Sequence, residues 1–263
     1  MKLEYIISGE QHETTLLFLH GAGASARQFD NQHEAFADRY KVVSLSLRGH
    51  GGSPVPVPNS AEAYALETMG GDILELIEEL DLQQIHCIGN SAGGVLGFEV
   101  CSRMPERFRS LITYGTTGRM GLSARTGDLY AAIDRFMLRH MKERYIRFLA
   151  KHTGMNPDAR EAIRRLFETS VEGIPPFRKN LATYDYLDTI ARLPMPYRLI
   201  RCEHDKGING MLEGTLEAIG RNPRAAVVEL KGVGHVANLD DPQRFNRFLE
   251  ELMTEIEQEK QGQ

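Results

Sequence analysis

Residues 83–97 read "QQIHCIGNSAGGVLG", and one serine, Ser91, stands in them where an apolar run gives way to small residues. Ile85, Cys87 and Ile88 predict a short buried strand, whereas Val95, Leu96, Phe98 and Val100 recur with helical spacing. Ser91 therefore falls at a strand-to-helix junction, flanked by Gly89, Gly93, Gly94 and Gly97. A serine there has two uses. Its hydroxyl caps the first turn of the helix, or a tight, strained turn thrusts it outward as a nucleophile. Gly89-Asn90-Ser91-Ala92-Gly93 fits the G-x-S-x-G spacing of such a turn. Five residues are moderately specific alone; placement between strand and helix strengthens the match. A helix beginning just after Ser91 also offers the Ala92 N–H and a favourable dipole to developing negative charge.

Outward from this stretch, strand-length apolar runs alternate with longer periodic segments. "TTLLFLHG" (14–21), "KVVSLSL" (41–47), "FRSLITYGTT" (108–117), "YRLIRCEHD" (197–205) and "AAVVELKG" (225–232) predict further strands. Helices are expected over about 25–39, over 67–80 with Ile73, Leu74, Ile77 and Leu80 on one face, and from Pro242 onward. That alternation implies an α/β fold with a mainly parallel central sheet and helices on both faces. Between 118 and 192 the strands stop. Helical spacing runs from Leu129, Ile133 and Phe136 to Tyr145, Phe148 and Leu149. This segment carries 14 Lys+Arg against 9 Asp+Glu, while the rest of the chain carries 17 against 27. The opposite sign of charge marks 118–192 as a helical cap over a core of 1–117 and 193–263, with ordinary covering helices as the alternative.

A serine hydroxyl is a weak nucleophile. It needs a base, the base needs an orienting acid, and the oxyanion needs two N–H donors. The second donor is expected from the loop "HGAG", where Gly21 and Gly23 leave the Ala22 N–H unobstructed; His20 is expected to organise that loop. Among nine histidines, His235 lies in "LKGVGHVANLDDP", a small-residue loop after a strand and before the last helix. His12, His33, His50, His86, His140 and His152 read as surface, turn or packing residues. The acid is expected at another strand end, where Asp205 is favoured over its neighbour Glu203 by position.

Taken together, "HGAG", "RGHGGS", "GNSAGG", "EHD" and "GHVANLDDP" resemble the α/β-hydrolase superfamily over essentially the whole chain. The family order of nucleophile, acid and histidine implies Ser91, Asp205 and His235 as catalytic residues, with Ala22 and Ala92 as backbone oxyanion donors. Two positions depart from the pattern: Ser46 stands where many relatives have Asp, and Cys202 where a glycine is frequent. The resemblance implies hydrolysis of a small-molecule carboxylic ester, lactone or thioester through an acyl-enzyme, without a metal or organic cofactor. Two alternatives stay open. One is carbon–carbon bond hydrolysis, because "GNSAGG" is similar to the elbow of meta-cleavage-product hydrolases, although Val236 replaces the aromatic residue usual there. The other is a non-enzymatic receptor on the same scaffold. Arg119, Arg125, Arg139, Arg144 and Arg147 in the cap suggest selection of anionic substrates, against the commoner use of such charges as a solvated face.

Composition excludes other classes. The chain has 263 residues, 41% of them hydrophobic, enough for a sizeable core. No apolar run approaches the roughly 20 residues that span a bilayer, and "MKLEYIISGEQHE" turns polar too soon for a signal peptide. Cys87, Cys101 and Cys202 lack CxxC spacing and fit cytoplasmic thiols better than disulfides or zinc ligands. A net charge of -5 gives no reason to expect nucleic-acid binding, and nothing in the sequence sets an oligomeric state.

Overall fold

The computed structural model describes residues 1–261, so the last two residues of the expected core lie outside the described residues. Seven strands form one sheet: β1 (Tyr5–Ser8), β2 (Thr15–Leu19), β3 (Lys41–Leu45), β4 (Ile85–Asn90), β5 (Phe108–Tyr114), β6 (Tyr197–Cys202) and β7 (Ala225–Leu230). Their spatial order is β1-β3-β2-β4-β5-β6-β7. Only β1 runs antiparallel, against β3; every other pairing is parallel. β1 was absent from the expected strands. It is a four-residue, half-buried edge flanked by polar residues, which leaves little periodic signal.

Alternation along the strands splits the core in two. Leu17, Leu19, Val43, Leu45, Cys87 and Leu111 face one side of the sheet, where α2 (Leu66–Glu79) and α3 (Ala92–Arg103) bring Ile73, Ile77, Leu96 and Phe98. Leu16, Phe18, Val42, Ile88 and Ile112 face the other, against Phe36 of α1 (Asp30–Phe36). The expected helix over 25–39 is shorter than its periodicity suggested: a 3-10 turn over Ala26–Phe29 precedes α1. Full burial of a Leu or Phe side chain is worth about 1.5–3 kcal/mol, so the two layers supply most of the gross driving force.

Four helices lie between β5 and β6: α4 (Ala124–Thr153), broken by a kink at Met141, then α5 (Pro157–Glu168), α6 (Ile174–Asn180) and α7 (Leu187–Arg192). α4 packs on both α5 and α6. After β6 come α8 (Lys206–Asn209) and α9 (Glu213–Gly220), and after β7 come α10 (Ala237–Asp240) and α11 (Pro242–Gln261). Phe245, Leu249 and Ile256 of α11 join α1 on its face of the sheet. Among the described residues no helix is long and apolar enough to cross a membrane.

The departure at Ser46 has a local remedy. Ser46 Oγ donates to Glu4 Oε2 at 2.6 Å, and the Gly52 N–H donates to the same oxygen at 2.8 Å. Ser46 Oγ in turn accepts from the Ala26 N–H at 3.0 Å. The carboxylate missing at position 46 is thus delivered to the glycine-rich turn from the start of the chain.

Candidate active site

Parallel strands place all their C-terminal ends on one edge of the sheet, where their loops meet. Ala22, Ser91, Asp205 and His235 follow β2, β4, β6 and β7 at that edge. Ser91 has φ 52 and ψ -118, a conformation costing a non-glycine residue on the order of 1–3 kcal/mol. Its hydroxyl makes no capping hydrogen bond to α3, so the helix-cap use of this serine is absent. The turn is held by backbone: the Ser91 N–H donates to Tyr114 O at 2.9 Å, and the Gly94 N–H donates to Ser91 O at 2.9 Å. Gly93 is required by contact, because a Cβ there would lie 2.1 Å from Leu19 O.

His235 follows β7 and must extend past β6 and over the end of β5 to face the residue that follows β4. Gly115, with φ +61 just past β5, makes room: a Cβ there would sit 2.7 Å from His235 O. His235 Nδ1 lies 2.8 Å from Asp205 Oδ2, and Asp205 is nearly buried while also accepting from the Ile208 N–H. Glu203, half exposed, instead accepts from the Gly232 N–H at 2.8 Å. Ser91 and His235 line one cavity. Among the described residues no hydrogen bond joins Ser91 Oγ to the ring; such bonds commonly tighten when substrate binds.

The Ala22 and Ala92 N–H groups also make no hydrogen bond among the described residues. His20 explains the direction of the first. Its Nε2 accepts from the Leu47 N–H at 2.9 Å, so Nδ1 carries the proton and donates to Gly21 O at 2.7 Å. That carbonyl and the Ala22 N–H belong to one planar trans peptide, so fixing one fixes the other on the opposite side. Burial, with the nearby His50 second, lowers His20 to about 3 and keeps the ring neutral.

A buried amide network behind the elbow was not anticipated from the sequence. Asn90 Nδ2 donates to His235 O at 2.9 Å, and Gln28 Nε2 donates to Asn90 Oδ1 at 3.0 Å. Asn238 accepts from the Tyr114 hydroxyl at 2.8 Å and donates to Gln28 O at 2.8 Å. The chain spacing of these residues carries no signal; only their convergence does. Asp240 clamps the His235 loop, accepting from the Gly234 N–H at 2.8 Å and the Met155 N–H at 2.9 Å. Burial pushes its carboxyl up despite those bonds.

The cavity has a volume of ≈ 530 Å³ and mainly apolar walls, supplied by Met120, Leu149, Ile163, Phe167, Ile174 and Leu181 among others. A small molecule fits such a volume. Ser170 Oγ ties the α5–α6 link to the "HGAG" loop through Ala24 O at 2.7 Å. Among the described residues no group of three His, Cys, Asp or Glu side chains is arranged to hold a metal.

A sequence profile described as the alpha/beta hydrolase family matches residues 16–248. The chain belongs to that family. Among its relatives is 3-oxoadipate enol-lactonase 2 of Acinetobacter baylyi, 25% identical over 95% of this chain and 92% of the relative. Pimeloyl-[acyl-carrier protein] methyl ester esterase of Aeromonas hydrophila is 25% identical over 90% and 94%. The crystal structure of the enol-lactonase from Burkholderia xenovorans LB400 superposes with a TM-score of 0.80 at 21% identity, covering 96% of each chain, and establishes the shared fold.

Proposed function

We propose that this protein is a serine hydrolase that cleaves a small carboxylic ester, lactone or thioester through an acyl-enzyme. The observation that carries the reading is the 2.8 Å contact between His235 Nδ1 and the nearly buried Asp205, on a ring that lines the same cavity as Ser91. With Nδ1–H held by Asp205, the His235 Nε2 lone pair is the free base. It takes the Ser91 proton as Oγ bonds to the acyl carbon, and the Ala22 and Ala92 N–H groups receive the oxyanion. The C–O (or C–S) bond then breaks, with the same proton passing to the leaving oxygen or sulfur. Water, deprotonated by His235, releases the acid and restores Ser91. Ring-opening and methyl-ester relatives both support acyl cleavage as the reaction class.

In this reading residues 118–192 form a cap that closes the apolar cavity over Ser91, supported by α5 and α6 side chains in its walls. Cytoplasmic residence fits three free, buried cysteines. The deciding experiment uses a panel of p-nitrophenyl esters, lactones and vinylogous diketones with product identification, beside an active-site phosphonate. Ser91→Ala should leave stability nearly unchanged and lower acyl turnover by several orders of magnitude. The phosphonate mass should map to Ser91 in the wild type. Full esterase activity in Ser91→Ala, with label elsewhere, refutes the assignment; turnover of the diketones alone would favour carbon–carbon cleavage.

A further inference from the structure

The cavity wall contains one permanently charged side chain among the described residues, Arg178 of α6. Among the described residues no Asp, Glu or Lys shares that wall. Arg178 is held from behind: its Nε donates to Asp134 Oδ2 at 2.8 Å, and the Tyr145 hydroxyl donates to the other oxygen of the same carboxylate at 2.5 Å. Asp134 is 2% exposed, so this brace is anchored inside the helical segment. Among the described residues neither Nη nitrogen of Arg178 makes a hydrogen bond. The five arginines singled out by charge pattern do not behave this way. None of Arg119, Arg125, Arg139, Arg144 and Arg147 lines the cavity, and Arg119 and Arg147 form exposed pairs with Asp185 and Glu143.

We infer that Arg178 binds a carboxylate on the substrate, so that the favoured ester or lactone is an anion bearing its charge away from the acyl carbon. The inference rests on the serine-hydrolase reading for its chemistry, but binding can be tested apart from turnover. A guanidinium with Nε engaged keeps its two terminal nitrogens as donors, and a carboxylate accepts charge-assisted bonds from them. The Arg178 side chain is 40% exposed, so water screens that attraction, and the mainly apolar walls strengthen it only where a bound substrate displaces the water. A neutral substrate that displaces that water offers the two nitrogens no acceptor in return. Asp134 then acts as a positioning residue: it aims the guanidinium and does not itself touch the ligand.

A matched pair, monomethyl glutarate and methyl pentanoate, reads the preference. The wild type should favour the anionic ester in kcat/KM by about 3- to 10-fold, because a guanidinium 40% exposed is partly screened by water. Arg178→Gln should abolish the preference, lowering kcat/KM for the anionic ester more than for the neutral one, and Arg178→Lys should restore part of it. A brace that merely supports the fold would lower both esters equally. Equal loss, a wild-type preference for the neutral ester, or a preference that survives Arg178→Gln overturns the inference. Glutarate binding to the Ser91→Ala protein by calorimetry gives a second readout, expected to weaken at least about threefold with Arg178→Gln added. If neither these esters nor any acyl substrate of the panel is turned over but Arg178-dependent glutarate binding persists, the hydrolase reading fails and the carboxylate site stands. Glutarate binding that ignores Arg178 refutes the site even if turnover is seen.

Discussion

Acid should destabilise this protein through two buried rings. His20 and His50 are fully buried, with ring centroids 5.3 Å apart. Burial is the main cause that lowers His20 to about 3 and His50 to about 4; His50 adds repulsion at His20. A proton on His20 Nε2 would break its bond from the Leu47 N–H, and His50 Nε2 has no partner among the described residues to receive one. Unfolded, each ring accepts a proton near its ordinary value of about 6.5. The folded values are depressed, so the unfolded state binds protons first as pH falls. The stabilising contribution is complete above about 6.5 and shrinks toward the folded values. From pH 7.5 to 5 each ring accounts for a loss of about 2 kcal/mol, or about 4 for the pair. That is a large part of the roughly 5–15 kcal/mol expected for a domain. His33, held at about 4 chiefly by burial, acts in the same direction. Urea unfolding across pH 5–7.5 measures the slope, and His50→Asn should reduce it by about 1.2 kcal/mol per pH unit between 5 and 6. An unchanged slope in that variant, or a His20 ring that titrates above pH 6 by NMR, refutes the reasoning.

Asp205→Asn should preserve folding and lower turnover by about three to four orders of magnitude, whereas Glu203→Gln should be nearly silent; the reverse ranking in steady-state kinetics would reassign the acid. Gly71, inside α2 with nothing within 4 Å of an added Cβ, should accept alanine with a gain of about 0.5–1 kcal/mol in thermal unfolding. Gly93→Ala should lose soluble folded protein, because its Cβ would meet Leu19 O at 2.1 Å. Asn238→Ala leaves the buried Tyr114 hydroxyl without its acceptor and should cost about 1–3 kcal/mol in chemical denaturation. Turnover should fall with it, since the network also supports Asn90 and thereby the His235 backbone.

The linear sequence determined the parallel sheet, because buried parallel strands are short continuous apolar runs and the helices between them keep their own period. It also put forward Ser91, Asp205 and His235 as candidates by order and by position at strand ends, and the structure brings Asp205 to His235 and His235 to the cavity of Ser91. It did not reveal β1, whose half-buried edge carries too little pattern, or the truncation of the helix expected over 25–39 to α1. What tertiary structure alone decided is which distant residues share a volume. Asn90 meets Gln28 and His235, and Glu4 supplies the carboxylate that Ser46 lacks. Arg178, one of 14 basic residues in its segment, is the one brought to the cavity wall. Charge counting could not separate it from its neighbours, since composition is a property of the segment and a guanidinium's surroundings depend on how helices pack.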